Sequence, residues 1–248
     1  MGAGTVHRRS PERLVPAAFS SSLLSVNGEL LVVDDLPGEF AARVIAAYQS
    51  RRNDLFSFAL SGGSTARSCY ERLATDSADT IDWLSVNIYW GDERCVPPDD
   101  PDSNQLLGRR ALLERVGAAN AVYPMSCEEG PDSYQLRLGE IGKLDLVHLG
   151  LGPDGHTASL FPNSKALDAD PGQLVALNED PSGRNPHPRM TLTFSGIARS
   201  RLVIFTVAGE AKRQAFKAVV EGEDLPASRV TADEVVWLVD REAAGVDG

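Results

Sequence analysis

The sequence predicts an α/β protein: a largely parallel sheet covered by helices on both faces, three layers in an αβα sandwich. From about residue 30 onward, apolar runs of strand length alternate with amphipathic segments, the pattern of a sheet built through helical crossovers. Several of those runs also end in glycine-rich or charged turns, at the sheet edge where open parallel sheets bind their ligands.

In order, ELLVVDD (29–35) reads as a strand, and GEFAARVIAAYQSR (38–51) carries Phe40, Val44, Ala47 and Tyr48 at helical spacing. LFSFALSGG (55–63) is a strand running into glycines, followed by a helix over 65–74. VNIYWGDE (86–93) is a strand ending in a polar turn. SNQLLGRRALLERV (103–116) is a helix with Ser103 as its cap. A helix over 133–142 leads into the strand LDLVHLGLG (144–152). RMTLTFSGI (189–197) and RLVIFTVAG (201–209) are strand-like, GEAKRQAFKAVVEG (209–222) is a helix, and EVVWLVD (234–240) is a closing strand. The Pro-, Gly-, Asn- and Asp-rich segment 163–188 is expected to be a long loop.

The bulk numbers set bounds. The length of 248 residues and 42% hydrophobic content allow a sizeable core. Residues 1–20 are expected to be a loose tail, and 21–248 one α/β domain. A net charge of −11 argues against nucleic-acid binding, yet a few cations converging in one cleft can still hold a small anion. No apolar run approaches the roughly 18 residues of a membrane span. The N-terminal segment lacks the apolar stretch of a secretory signal. Cys69, Cys95 and Cys127 are widely spaced, without a C-x-x-C pair. They are expected to be reduced thiols in a cytoplasmic protein, which the sequence reads as a monomer or weak homo-oligomer without metal or cofactor.

Chemistry concentrates at the strand exits. LSGGST (60–65) offers Gly62 and Gly63 for close backbone approach, a helix N-terminus, and the hydroxyls of Ser61, Ser64 and Thr65: a cradle for phosphate. It lacks the lysine and spacing of a Walker A loop. GDER (91–94) supplies Arg94, whose planar fork suits phosphate or carboxylate, and Asp92, which can orient a hydroxyl or a catalytic group. A solvated loop is the plainer reading of those consecutive charges. Lys212 and Arg189 are further cations near predicted strand ends.

GLGPDG (150–155) spells the dinucleotide fingerprint G-x-G-x-x-G. Pro153 inside it has no N–H to donate, and Pro162 limits the following helix to about two turns, short for a Rossmann crossover. The loop is better read as a tight turn that places His156 at a strand exit, with Asp154 setting its tautomer. A cleft with an anion cradle, cations and a histidine suits acid/base chemistry on a small phosphorylated molecule.

LSGGST, WGDERCVPPDDPDSN, LGLGPDGHTASLFP, RMTLTF, AGEAKRQAF and WLVD occur in the order and approximate spacing of the 6-phosphogluconolactonases, which this chain resembles over roughly residues 30–243. The resemblance implies a modified Rossmann fold of the sugar-phosphate isomerase type, no cofactor, and hydrolysis of 6-phospho-D-glucono-1,5-lactone to 6-phospho-D-gluconate in the oxidative pentose phosphate pathway. It implies His156 as general base. Residues Ser61 to Thr65, Arg94 and Lys212 would hold the phosphate and sugar, with Asp92, Asp154 and Arg189 in support. Ala66 and Ala232 stand where that family often has proline. The related glucosamine-6-phosphate deaminases carry a carboxylate shortly after the DGH turn, which TASLFPNSK lacks. A non-catalytic sugar-phosphate sensor on the same fold is the alternative from another class. It would be free to lose His156 or Arg94, and both are present.

Overall fold

The computed structural model describes residues 26–246, so the tail expected at 1–20 lies outside the described residues. The elements follow in chain order as β1 (Glu29–Val33), α1 (Leu36–Gln49), β2 (Phe56–Leu60), α2 (Ser64–Asp76), β3 (Val86–Trp90), β4 (Asp92–Arg94) and α3 (Asn104–Gly108). A π-helical turn (Arg109–Leu113) joins α3 to α4 (Glu114–Val116). Then come β5 (Ala121–Val122), α5 (Gly130–Ile141), β6 (Leu144–Gly150), β7 (Val175–Asn178), β8 (Arg189–Leu192), α6 (Phe194–Ala198) and β9 (Ser200–Val207). The chain closes with α7 (Arg213–Val220), β10 (Glu234–Asp240) and α8 (Arg241–Ala244).

A seven-stranded sheet in the order β1-β10-β9-β6-β2-β3-β5 forms the centre, every pairing parallel. Register sorts the side chains into two faces. Phe58 and His148 meet Tyr70 of α2, and His148 also meets Phe40 of α1, so α1 and α2 cover one face. Tyr89 and Trp237 belong to the other face, against Tyr134 of α5 and Phe216 of α7. The strands β2 and β3 are buried at every position, as a sheet sandwiched between helices requires. The fold is the expected three-layer α/β sandwich.

Parallel connection brings the ends of β2, β3, β6 and β9 to one edge, and Gly91 turns the chain there into a second sheet. This sheet is antiparallel, in the order β4-β8-β7, and it corrects two expectations. Residues 92–94 are a strand, with Asp92 opposite Thr191 and Arg94 opposite Arg189, rather than a solvated turn. The segment 163–188 is not all loop, because Val175–Asn178 pairs with β8. These strands are too short to show a period, and their loop-rich flanks hide them.

The thiols differ as well. Cys95 and Cys127 form a disulfide, against the expectation of reduced cysteines, and only Cys69 is free. Edge strand β5 pairs with β3, so the chain leaving β4 and the chain leaving β5 arrive together, 5.5 Å apart at the Cα atoms. Sequence spacing carries no sign of that meeting. The Cys69 thiol is buried, and burial pushes its pKa up to about 12, making it inert. Among the described residues no helix is long and apolar enough to cross a membrane.

Candidate active site

The turn after β6 exists to fold an imidazole back on itself. The Gly155 N–H donates to the Gly152 carbonyl (3.0 Å), and the Gly152 N–H donates to that of His156 (2.8 Å). Gly155 has φ +82°, where a side chain is disfavoured. A Cβ on Gly152 would lie 2.1 Å from His156 Nδ1, so that glycine leaves room for the ring. Asp154 accepts the His156 backbone N–H at 3.2 Å, and its carboxylate meets Nδ1 at 2.5 Å. Burial raises the Asp154 pKa, but the hydrogen bonds and charge of His156 outweigh it and hold the carboxyl below its ordinary value. A carboxylate at Nδ1 accepts the hydrogen bond of an N–H there, so in the neutral ring the lone pair lies on Nε2. Nε2 has no hydrogen-bond partner among the described residues.

The expected short helix after His156 is absent. Thr157 and Leu160 close an antiparallel bridge instead, and Ala158 and Asn163 have positive φ. Buried Ser159 replaces the helical bonds with anchors of its own: its hydroxyl donates to Asp92 Oδ2 (2.6 Å), its N–H to Thr191 Oγ1 (3.1 Å). Asp92 thereby ties the His156 turn to β4.

The glycine cradle lies between β2 and α2. Gly63 takes φ +94°, and no side chain caps the helix, leaving its first amides free to bind an anion. Ser61 lines the cleft, and its buried N–H donates to Tyr70 Oη at 2.6 Å. Ser64 and Thr65 face an adjoining hollow of about 150 Å³, bordered also by Gly63 and Lys212.

Gly62, Gly63, Arg94, His156, Arg189 and Lys212 converge on one cleft of about 270 Å³, with Asp92 and Ser61 also on its wall. Asp154 is not on the wall and reaches the cleft through His156. Arg94 Nη1 donates to the Asp102 carbonyl (2.6 Å) and Asn104 Oδ1 (2.8 Å), while Arg94 Nε is buried without a partner. Arg189 Nε is likewise buried and unpartnered. Burial lowers the Arg189 pKa, with Asp92 opposing that effect and Arg94 adding to it. Burial also lowers the Lys212 pKa, opposed by the charge of Asp154. Desolvated cations with spare donors favour an anionic ligand that satisfies them.

Asn104 and Asn185 also line this cleft and were not anticipated. Asn104 lies in the SN pair at the start of α3, next to Ser103, which caps the helix as expected, its hydroxyl accepting the Leu106 N–H. Asn185 sits in the segment expected to be plain loop, its Nδ2 donating to Asp180 Oδ2 at 2.8 Å. Among the described residues there is no cluster of side chains suited to a metal ion.

The fold and the cleft together define the class: a parallel α/β sandwich with a cationic cleft and a carboxylate-held histidine at its sheet edge. The family described as glucosamine-6-phosphate isomerases/6-phosphogluconolactonase matches residues 31–237, and the chain belongs to that family. It is 37% identical over 204 residues to a 6-phosphogluconolactonase of Synechocystis sp., covering 75% of this chain and 82% of that one. A 6-phosphogluconolactonase of Nostoc sp. is 38% identical over 211 residues, covering 77% and 84%. Among solved structures, the 6-phosphogluconolactonase of Trypanosoma cruzi superimposes with a TM-score of 0.78 at 25% identity, covering 90% of this chain and 98% of that one.

Proposed function

We propose that this protein hydrolyses 6-phospho-D-glucono-1,5-lactone to 6-phospho-D-gluconate. The observation that carries the reading is the pairing in one cleft of His156, its Nδ1 held by Asp154, with Arg94, Arg189, Lys212 and the uncapped start of α2. The names borne by the relatives support the same substrate.

The chemistry follows from the charges. The phosphate dianion pairs with the cations and with the amides at Gly62 and Gly63, which fixes the sugar and brings its lactone carbonyl toward His156. Nε2 takes a proton from water as the water oxygen bonds to the carbonyl carbon, giving a tetrahedral intermediate and an imidazolium stabilised by Asp154. Collapse of the intermediate breaks the bond from that carbon to the ring oxygen. The ring oxygen takes the proton back from Nε2, leaving a carboxylic acid that ionises at neutral pH. His156 is the general base and then the general acid, and Asp154 orients it.

The test is hydrolysis of freshly generated lactone by purified protein at neutral pH, with the spontaneous rate subtracted. Turnover above that rate supports the assignment, and a rate equal to the blank refutes it.

A further inference from the structure

We propose that Asn104 is the positioning residue of the phosphate grip, holding the Arg94 guanidinium in register with the glycine cradle; this rests on reading Arg94 as a phosphate ligand. Asn104 opens α3 and is 1% exposed. Its Oδ1 accepts from Arg94 Nη1 at 2.8 Å, and its Nδ2 donates to the Asp92 carbonyl (2.9 Å) and to Asp92 Oδ1 (3.2 Å). Those partners fix the amide's orientation: a cation needs the oxygen, and two acceptors need the nitrogen.

The backbone of Asn104 is pinned too. Its N–H donates to Glu93 Oε1 at 2.7 Å, and its carbonyl accepts from the Trp90 indole at 3.1 Å. Glu93 is itself buried and also takes the N–H groups of Arg94 and Gln105, each at 2.7 Å. A frame of this kind leaves the side chain little freedom.

Gly62 supplies the third contact. A Cβ there would fall 1.8 Å from Asn104 Oδ1, so the cradle backbone lies directly against the amide. One side chain thus touches the cradle, the guanidinium and Asp92. With Nη1 shared between Asn104 and the Asp102 carbonyl, Arg94 presents its unpartnered Nε in a preset orientation. Without Asn104 only the Asp102 carbonyl, on an exposed loop, would restrain that group, and ligand binding would have to order it.

The test is a double-mutant cycle read by calorimetric binding, with 6-phosphogluconate and inorganic phosphate as the probes. Asn104→Ala should weaken 6-phosphogluconate about tenfold, as losing a hydrogen bond to a charged group does. In the Arg94→Ala background the same change should cost less than about twofold, because there is no guanidinium left to position. KM should rise about tenfold in Asn104→Ala with kcat within about threefold of wild type. Asn104→Ser, which retains a small polar side chain, runs the same cycle if the alanine variant melts early. Losses that multiply, or Asn104 variants that bind within twofold of wild type, overturn the proposal. A wild-type protein that binds 6-phosphogluconate but opens no lactone refutes the hydrolase reading alone and leaves the cycle decisive. One that binds neither probe refutes the phosphate grip, and the role of Asn104 with it.

Discussion

Asp154 and His156, two residues apart, form a closed unit in which the carboxylate accepts the backbone N–H of His156 at 3.2 Å and contacts its Nδ1 at 2.5 Å. A carboxylate so placed fixes the ring and stabilises the imidazolium formed when Nε2 takes a proton. Asp154→Asn keeps the shape but removes the charge, so kcat should fall roughly 10- to 100-fold with KM little changed, a fraction of the factor general-base catalysis supplies. Steady-state kinetics on the lactone checks this, and an unchanged kcat would remove Asp154 from the mechanism.

Gly152 is the space into which the imidazole folds. Gly152→Ala puts a methyl group 2.1 Å from Nδ1, and the ring must leave. Such a variant should melt within a few degrees of wild type, because the His156 ring is only partly buried and can swing outward, yet show a kcat near that of a variant lacking the imidazole. A normal kcat in Gly152→Ala would mean that the ring position is not the productive one.

Lys212 tests the phosphate grip independently of Asn104. It lies in a 3-10 turn (Glu210–Lys212) ahead of α7 and borders both hollows of the site. Lys212→Ala should raise KM for the phosphorylated lactone on the order of tenfold or more while lowering kcat less, as expected for a lost charge-assisted contact. The comparison of KM with kcat decides; a pure kcat effect would place Lys212 at the reacting carbonyl instead.

His148 gives a pH signature that does not involve catalysis. It is fully buried between Tyr70 Oη (2.8 Å) and Thr206 Oγ1 (2.9 Å), and burial pushes its pKa from 6.5 down to about 3. Between those values the unfolded chain binds a proton that the folded one does not, so stability falls as pH drops from about 6.5 toward 3 and is fully present above 6.5. His148→Gln removes that term. Denaturant melts should show the wild-type advantage over the variant shrinking as pH falls from 7 to 4; an advantage that stays constant with pH would contradict a buried neutral histidine.

Much of this site was legible in sequence because the ends of parallel strands meet at one edge. Once β2, β3 and β6 were recognised as apolar runs, SGGST, Arg94 and His156 had to lie together. Resemblance added what spacing alone did not, the sugar-phosphate lactone. What stayed hidden depends on short or non-local contacts. β4 and β7 have three and four residues, too few for a period. The Cys95–Cys127 bond joins positions 32 apart that only the pairing of β5 beside β3 brings close. Ser159 reads in sequence as a helical residue, and its role appears only through Asp92, 67 positions away.

Excess hydrolysis of freshly generated 6-phospho-D-glucono-1,5-lactone, measured side by side for wild type and His156→Asn at neutral pH, tests the base most directly. Wild type should run well above the spontaneous rate, and the variant should lose roughly 10²- to 10⁴-fold in kcat while still binding 6-phosphogluconate. A variant that turns over at the wild-type rate would contradict His156 as the base.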